Sequence, residues 1–455
     1  MGFNSLPTEI FIHILKNDDS RLLNATARSR ALMGVCRHWY NIITSIPEFW
    51  TSVHVLLDSM PLSRFNWTLF LLSEQLRRCK GALIDVTWQV RVGTYHPDEI
   101  LKVFGTHAPF KQWRSISIIR HDGAPPSAAS LASLGIFNSL EEICDLSQKI
   151  DWAIRYIETT LPSDAPLRSL QCNIPYSLIA GMPAFRVPDA LHNILRKVKM
   201  LRLMNMPRGG TLWDDLPANI TELLVERLAD LKRLDLSHIE SLFVQDAVTN
   251  PNLTSFTFPA LTRLDIRPMN WPTRRRVVFP CLLELCLRGT QHDSIEYISA
   301  PMLEKLIFNS EGEWHKPELL EGTLALPEYS LWPKKELELR LLVSAQVVGR
   351  FLERLPELEK LVLYMQGTSI DLVVIQQILT PSRKSSNGDG GTRLRSLRVY
   401  LERDQRDANA WTWEWCLSRN PGMKEGMKTT SMEYFWTRSS QPSSFKTSLP
   451  YWFRY

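Results

Sequence analysis

The sequence predicts an α/β protein, with a short N-terminal module of three helices followed by a long succession of parallel strands. Two patterns predict it. Apolar residues near the start recur at three- and four-residue spacing, as on one face of a helix. Triplets of the form L-x-x-L-x-L recur through most of the remaining chain, which puts two of the three on one side of a strand and the first at its entry. Composition is the third observation: 455 residues, 44% hydrophobic and 22% charged, lie near the globular average and can bury a sizeable core.

The first helix opens at Ser5-Leu6-Pro7-Thr8-Glu9. Proline is tolerated in a first helical turn, and Glu9 complements the positive end of the helix dipole. Ile10, Phe11, Ile14 and Leu15 continue the apolar stripe until the polar run Lys16 to Ser20 ends it. A second short helix is expected around Leu22 to Ala27. For the third, Leu32, Val35, Cys36, Trp39 and Ile43 share a face before Pro47 stops it. Three short helices bury little surface by themselves, so this module needs a partner or the following domain to cover its apolar face.

Leu6-Pro7-Thr8-Glu9-Ile10, then Val35-Cys36-Arg37-His38-Trp39, then Pro47-Glu48-Phe49-Trp50 resembles an F-box, in particular the F-box-like variety at the start of many fungal proteins. The polar stretch from Lys16 to Arg30 is longer than the usual connection in that family. The resemblance implies that Leu6, Pro7, Ile10, Ile14, Leu15, Val35, Cys36 and Trp39 dock on the small adaptor subunit of SCF-type cullin–RING ubiquitin ligases, and through it reach cullin. The same residues would otherwise form a helical cap on the end of the strand stack, since repeat arrays need terminal caps.

The repeats are clearest at Leu261-Leu264-Ile266, Leu282-Leu285-Leu287 and Leu303-Leu306-Phe308, which step by 21 residues at all three positions. Upstream, Val198-Leu201-Leu203, Ile220-Leu223-Val225 and Ile239-Leu242-Val244 continue the series at steps of 22, 19 and 22. That is the leucine-rich-repeat period. Weaker copies extend it to Leu83-Val86-Trp88, Trp113-Ile116-Ile118 and Leu167-Leu170-Cys172 before it, and to Leu337-Leu339, Leu358-Leu361-Leu363 and Leu394-Leu397-Val399 after it. A second register, Leu231-Leu234-Leu236 and Leu253-Phe256-Phe258, competes between 220 and 260.

The expected organisation is therefore a docking module over 1–57, a connecting helix over 58–82, an irregular leucine-rich-repeat solenoid over 83–400 with a parallel sheet on its concave face, and a C-terminal cap and mobile tail over 401–455. Within the array, 381–392 (PSRKSSNGDGGT) reads as a flexible loop. The tail holds the cluster Trp411-Thr412-Trp413-Glu414-Trp415 and the polar segment Ser439 to Ser448. Residues between the core positions should face outward. Arg202, Arg263, Asp265, Arg267, Arg288, Lys305, Ile307 and Tyr364 are accordingly the candidate contacts for a protein target, a mixture of charge and apolar anchors that suits protein recognition.

A net charge of +5 with dispersed basic residues argues against nucleic acid as a partner. A phosphate- or RNA-binding array using Arg202, Arg263, Arg267 and Arg288 is the weaker alternative, and the basic run Arg274-Arg275-Arg276 reads as a solvated loop. Seven cysteines without a C-x-x-C pair read as reduced, packed thiols of an intracellular protein, cytoplasmic or nuclear. The start lacks a secretory signal, and the longest apolar stretch, near Leu69 to Leu72, is too short for a bilayer. Nucleotide-binding, hydrolase and zinc-protease motifs are lacking, so neither catalysis, a cofactor nor a metal is expected. The sequence points to a substrate receptor of a ubiquitin ligase, or alternatively to a leucine-rich-repeat scaffold with a helical N-terminal cap and no ligase role.

Overall fold

The computed structural model describes residues 33–57, 62–90, 97–121, 126–145, 152–173, 193–204, 216–225, 235–245, 257–266, 277–288, 298–309, 332–340, 345–355, 357–365, 394–403 and 431–438. The expected loop at 381–392, the Trp411–Trp415 cluster and the Ser439–Ser448 tail lie outside them, as do the first two expected helices. The chain is a mixed α/β protein built on parallel sheet, and it divides into two compact units, Met1–Trp213 and Asp214–Tyr455.

In the first unit, helix α1 (Arg37–Ser45) leads into strand β1 (Ser52–Leu57). Helix α2 (Leu62–Arg78) follows, then β2 (Ile84–Val90), α3 (Pro97–His107), β3 (Trp113–His121), α4 (Ala128–Ser133), β4 (Glu142–Asp145), α5 (Trp152–Thr160), β5 (Ser169–Asn173) and β6 (Met200–Met204). The six strands pair in chain order and all in parallel. One register column, Val53, Val86, Ile116, Ile143, Leu170 and Leu201, is buried throughout and turns toward the helices. Aromatic side chains fill the space between sheet and helices. Phe110 stacks on Phe137 with ring centroids 4.0 Å apart, and Phe104 meets Trp113 at 4.8 Å. The Trp113 indole donates to the Ala108 carbonyl at 3.0 Å, which satisfies its polar edge inside the core.

The second unit repeats a shorter motif. Strands β7 (Glu222–Val225), β8 (Ser241–Val244), β9 (Arg263–Ile266), β11 (Glu284–Arg288), β13 (Lys305–Asn309), β14 (Glu336–Arg340), β15 (Lys360–Met365), β16 (Ser396–Arg403) and β17 (Ser431–Arg438) pair in that order, in parallel. Strands β10 (Val277–Val278) and β12 (Ile298–Ser299) form a separate small ladder. Leu223, Leu242, Leu264, Leu285, Leu306, Leu337, Leu361 and Leu397 form one fully apolar register column, all buried. Each fully buried leucine of this column contributes roughly 1.5–3 kcal/mol of hydrophobic stabilisation.

A turn introduces several of these strands. The amide of Ile239 bonds to the Leu236 carbonyl at 3.1 Å, and the same three-residue link recurs at Leu261 to Phe258, Leu282 to Phe279, Leu303 to Ala300 and Leu358 to Leu355. Two further amides then share one carbonyl of the preceding repeat, as Thr262 and Arg263 do on Glu240, and Leu283 and Glu284 on Thr262. These amides at the strand entries are thus satisfied by the neighbouring stretch of chain. This settles the competing register. Leu236 and Phe258 are buried turn residues, whereas Leu242 and Leu264 occupy strands. The alternative triplets' remaining residues lie outside the described residues. Helix α6 (Ala345–Arg354) follows β14 and sets Phe351 6.3 Å from Phe308 in the core.

Candidate adaptor-docking and recognition surfaces

Of the residues expected to dock the adaptor, Leu6, Pro7, Ile10, Ile14 and Leu15 lie outside the described residues. Val35, Cys36 and Trp39 are described. Val35 is 60% exposed because it sits in the turn before α1, and Cys36, the residue preceding the helix, is half-buried like Trp39. Tyr40, which the spacing pattern passes over, is 46% exposed. The opposite side of α1 turns inward, where Ile42 and Ile43 are buried. Within α1, Tyr40 is thus open to solvent while Ile42 and Ile43 sit in the core, and Val35 is exposed just ahead of the helix.

Trp50 anchors the inward side. It is buried, and its indole nitrogen donates to the Ile43 carbonyl at 2.9 Å. The guanidinium of Arg78 on α2 lies 4.5 Å from the centre of its ring, a cation–π contact. From the same helix, the Gln75 side-chain amide donates to the Trp50 carbonyl at 3.1 Å and to the Ser52 carbonyl at 2.9 Å. The Cys79 thiol reaches the Trp50 carbonyl at 3.3 Å, and burial pushes that thiol's pKa up to about 11. On its outer side α2 carries Trp67 and Phe70, stacked at 5.3 Å and both more than half exposed. Sequence reasoning missed Gln75, Tyr40, Trp67 and Phe70. The signal for the aromatic pair was there: α2 has more large apolar residues than the single stripe Phe65, Leu72 and Leu76 needs to reach the core.

With that geometry in hand, comparison with known families gives one match. An F-box-like domain occupies residues 3–55. F-box domains bind the adaptor subunit of SCF complexes and are typically non-catalytic. The described part of this F-box-like domain is its C-terminal portion, α1 and Trp50, which packs into the first unit. No curated protein matches the chain.

The outer faces of the two units differ. In the first, His54, Thr87, Ser117, Cys144, Gln171 and Arg202 form a half-exposed polar column. Arg202, one of the expected target contacts, reaches the Gln171 side-chain oxygen Oε1 at 3.5 Å. His54 Nε2 lies 3.1 Å from the Ser52 hydroxyl, and burial lowers its pKa.

In the second unit the first outer column alternates in sign: Arg263, Glu284, Lys305, Glu336, Lys360. Lys305 Nζ lies 3.4 Å from Glu284 and 3.3 Å from Glu336, and Lys360 lies 3.0 Å from Glu336. The next outer column runs Leu224, Phe243, Asp265, Cys286, Ile307, Glu338 and Val362, and every member is buried. Three expected contacts are corrected here. Asp265 is 2% exposed, Ile307 0% and Arg288 6%, so none of them offers a surface for a partner. The period of two places Asp265 and Ile307 opposite the leucines, but it carries no information on whether that side meets water. Arg288 extends along the sheet instead of into solvent, donating to Asp265 Oδ1 at 2.5 Å and to the Val244 carbonyl, with its guanidinium 4.0 Å from the Phe243 ring centre. Arg263, Lys305 and Tyr364 are half-buried, and Arg267 lies outside the described residues.

Burial drives the Cys172 and Cys286 thiols well above their ordinary value, and Cys144 up to about 11, so all three are protonated at neutral pH and poor nucleophiles. Among the described residues, no three His, Cys, Asp or Glu side chains converge as metal ligands, and no helix is long and apolar enough to cross a membrane.

Proposed function

We propose that this chain is the substrate-recognition subunit of an SCF-type ubiquitin ligase. The F-box-like domain at 3–55 carries the reading. The adaptor docks on Leu6, Pro7, Ile10, Ile14, Leu15, Val35, Cys36 and Trp39, and cullin joins through the adaptor. The regular strands that follow are read as an irregular leucine-rich-repeat solenoid, on the support of their 21-residue steps and repeated turn-to-strand links. A protein target binds that array. Arg202, Arg263, Lys305 and Tyr364 remain as candidate contacts, and Arg267 is retained on its sequence position. Ubiquitin transfer is performed by other subunits, and this chain contributes proximity. Such a receptor works in the cytoplasm or nucleus.

A second reading, a leucine-rich-repeat scaffold whose N-terminal helices are only a cap, is favoured by the burial of Ile42, Ile43 and Trp50. Co-purification with the adaptor separates the two. Leu6→Ala/Pro7→Ala and Trp39→Ala should each lose capture while the protein stays folded. Retained capture in both, or a folded wild type that captures no adaptor, supports the cap.

A further inference from the structure

We propose that Gln75 is a positioning residue, whose side-chain amide clamps the joint between the helical part of the F-box-like segment and the first sheet strand so that the two turn as one body. This rests on the ligase-receptor reading.

The joint is short. Trp50 closes the helical part of the F-box-like segment, Thr51 follows, and β1, which the segment's last residues enter, begins at Ser52. A chain at such a point can swing through the dihedrals of one or two residues unless its backbone groups are tied. Gln75 Nε2 ties both flanking carbonyls, that of Trp50 at 3.1 Å and that of Ser52 at 2.9 Å. One planar amide therefore fixes the carbonyls on either side of Thr51, in a buried position where hydrogen bonds are strong and water cannot replace them.

The end of α2 and the turn after it reinforce the clamp. The Cys79 thiol reaches the Trp50 carbonyl, Arg78 covers the Trp50 ring, and Lys80 Nζ reaches the Ser45 carbonyl at 3.3 Å, the last residue of α1. Residues 75, 78, 79 and 80 thus all reach back to the stretch from Ser45 to Ser52. None of them belongs to the face of α1 that is open to solvent. The segment consequently has two separable duties, docking through one side and anchoring through the other. For a ligase subunit that works by proximity, the anchor decides which lysines come within reach of the transferred ubiquitin.

The test uses full-length protein carrying Gln75→Met, which keeps the length of the side chain and removes both donors, and Cys79→Ala as a milder second variant. Hydrogen exchange should accelerate about tenfold in peptides spanning 43–57 and stay unchanged in peptides across 284–308, since leaving buried carbonyls unsatisfied costs roughly that factor or more. Adaptor capture should persist. In a reconstituted ligase with adaptor, cullin, RING subunit and charged conjugating enzyme, the chain's own modified lysines should spread from a restricted set in wild type to a broader set in the variants. Wild-type exchange at 43–57 in both variants, uniform acceleration along the whole chain, or an unchanged lysine pattern despite local loosening would each overturn the proposal. If the wild type captures no adaptor the ligase reading falls, and the exchange experiment still decides whether Gln75 clamps the joint.

Discussion

Arg288 and Asp265 form a buried ion pair across adjacent strands of the second unit, with Nε 2.5 Å from Oδ1 and side chains only 8% and 3% exposed. Removing one partner leaves the other charge buried and uncompensated. Asp265→Ala or Arg288→Ala should therefore lose about 3–5 kcal/mol of stability, while the double apolar replacement Asp265→Leu/Arg288→Met should cost far less. Urea denaturation of the three variants checks this.

The half-buried ladder Arg263, Glu284, Lys305, Glu336, Lys360 should behave differently. Lys305→Glu places three carboxylates in a row on directly opposed positions and should cost about 1–2 kcal/mol. Lys305→Met should cost less than about 1 kcal/mol, because ion pairs with water access contribute little. Raising the salt concentration in thermal melts should narrow the gap between the two variants.

His54 gives the first unit an acid-side pH dependence. Burial lowers its pKa in the folded protein below the ordinary 6.5, so the unfolded chain binds a proton more readily than the native one. Stability contributed by neutral His54 is thus complete above 6.5 and drains away as pH falls through that value toward the folded pKa. His54→Gln should flatten this part of the stability–pH curve in urea titrations.

Thiol reactivity should follow burial. Cys281 is exposed, whereas Cys79, Cys172 and Cys286 are buried with raised pKa values. Iodoacetamide at mildly alkaline pH should label Cys281 in the native protein and reach the other three only in denaturant, as peptide mass spectrometry would show. Native labelling of Cys286 would contradict the packing of the second outer column.

Much of the core was legible because hydrophobic periodicity reports directly on which side of a strand meets other apolar groups. Leu264 and Ile266, with their counterparts at 21-residue steps, fall on successive parallel strands, and Leu261, Leu282 and Leu303 fall in the turns that enter them. The pattern failed where one member is polar. Strand β4 went unread because the third position of Leu140-Ile143-Asp145 is a buried carboxylate. β17 went unread because it lies in a stretch read as cap and tail. The outer face was less legible still. Alternation says that Ile307 and Asp265 point away from the leucines, and burial on that side depends on neighbours in space such as Arg288, whose side chain lies along the sheet. The F-box-like segment was readable through resemblance, whereas Tyr40 breaks the apolar stripe and Gln75 belongs to no motif.

The central proposal is that the N-terminal segment docks on an adaptor through Val35 and Trp39 while Trp50 anchors it to the sheet. Calorimetric titration of the purified full-length chain with the purified adaptor tests it most directly, comparing wild type with Val35→Asp and Trp39→Ala. Saturable wild-type binding, weakened at least about tenfold in both variants with unchanged melting temperature, is the predicted result. A folded wild type that releases no binding heat and shows no complex, or variants that bind as tightly as wild type, would contradict it.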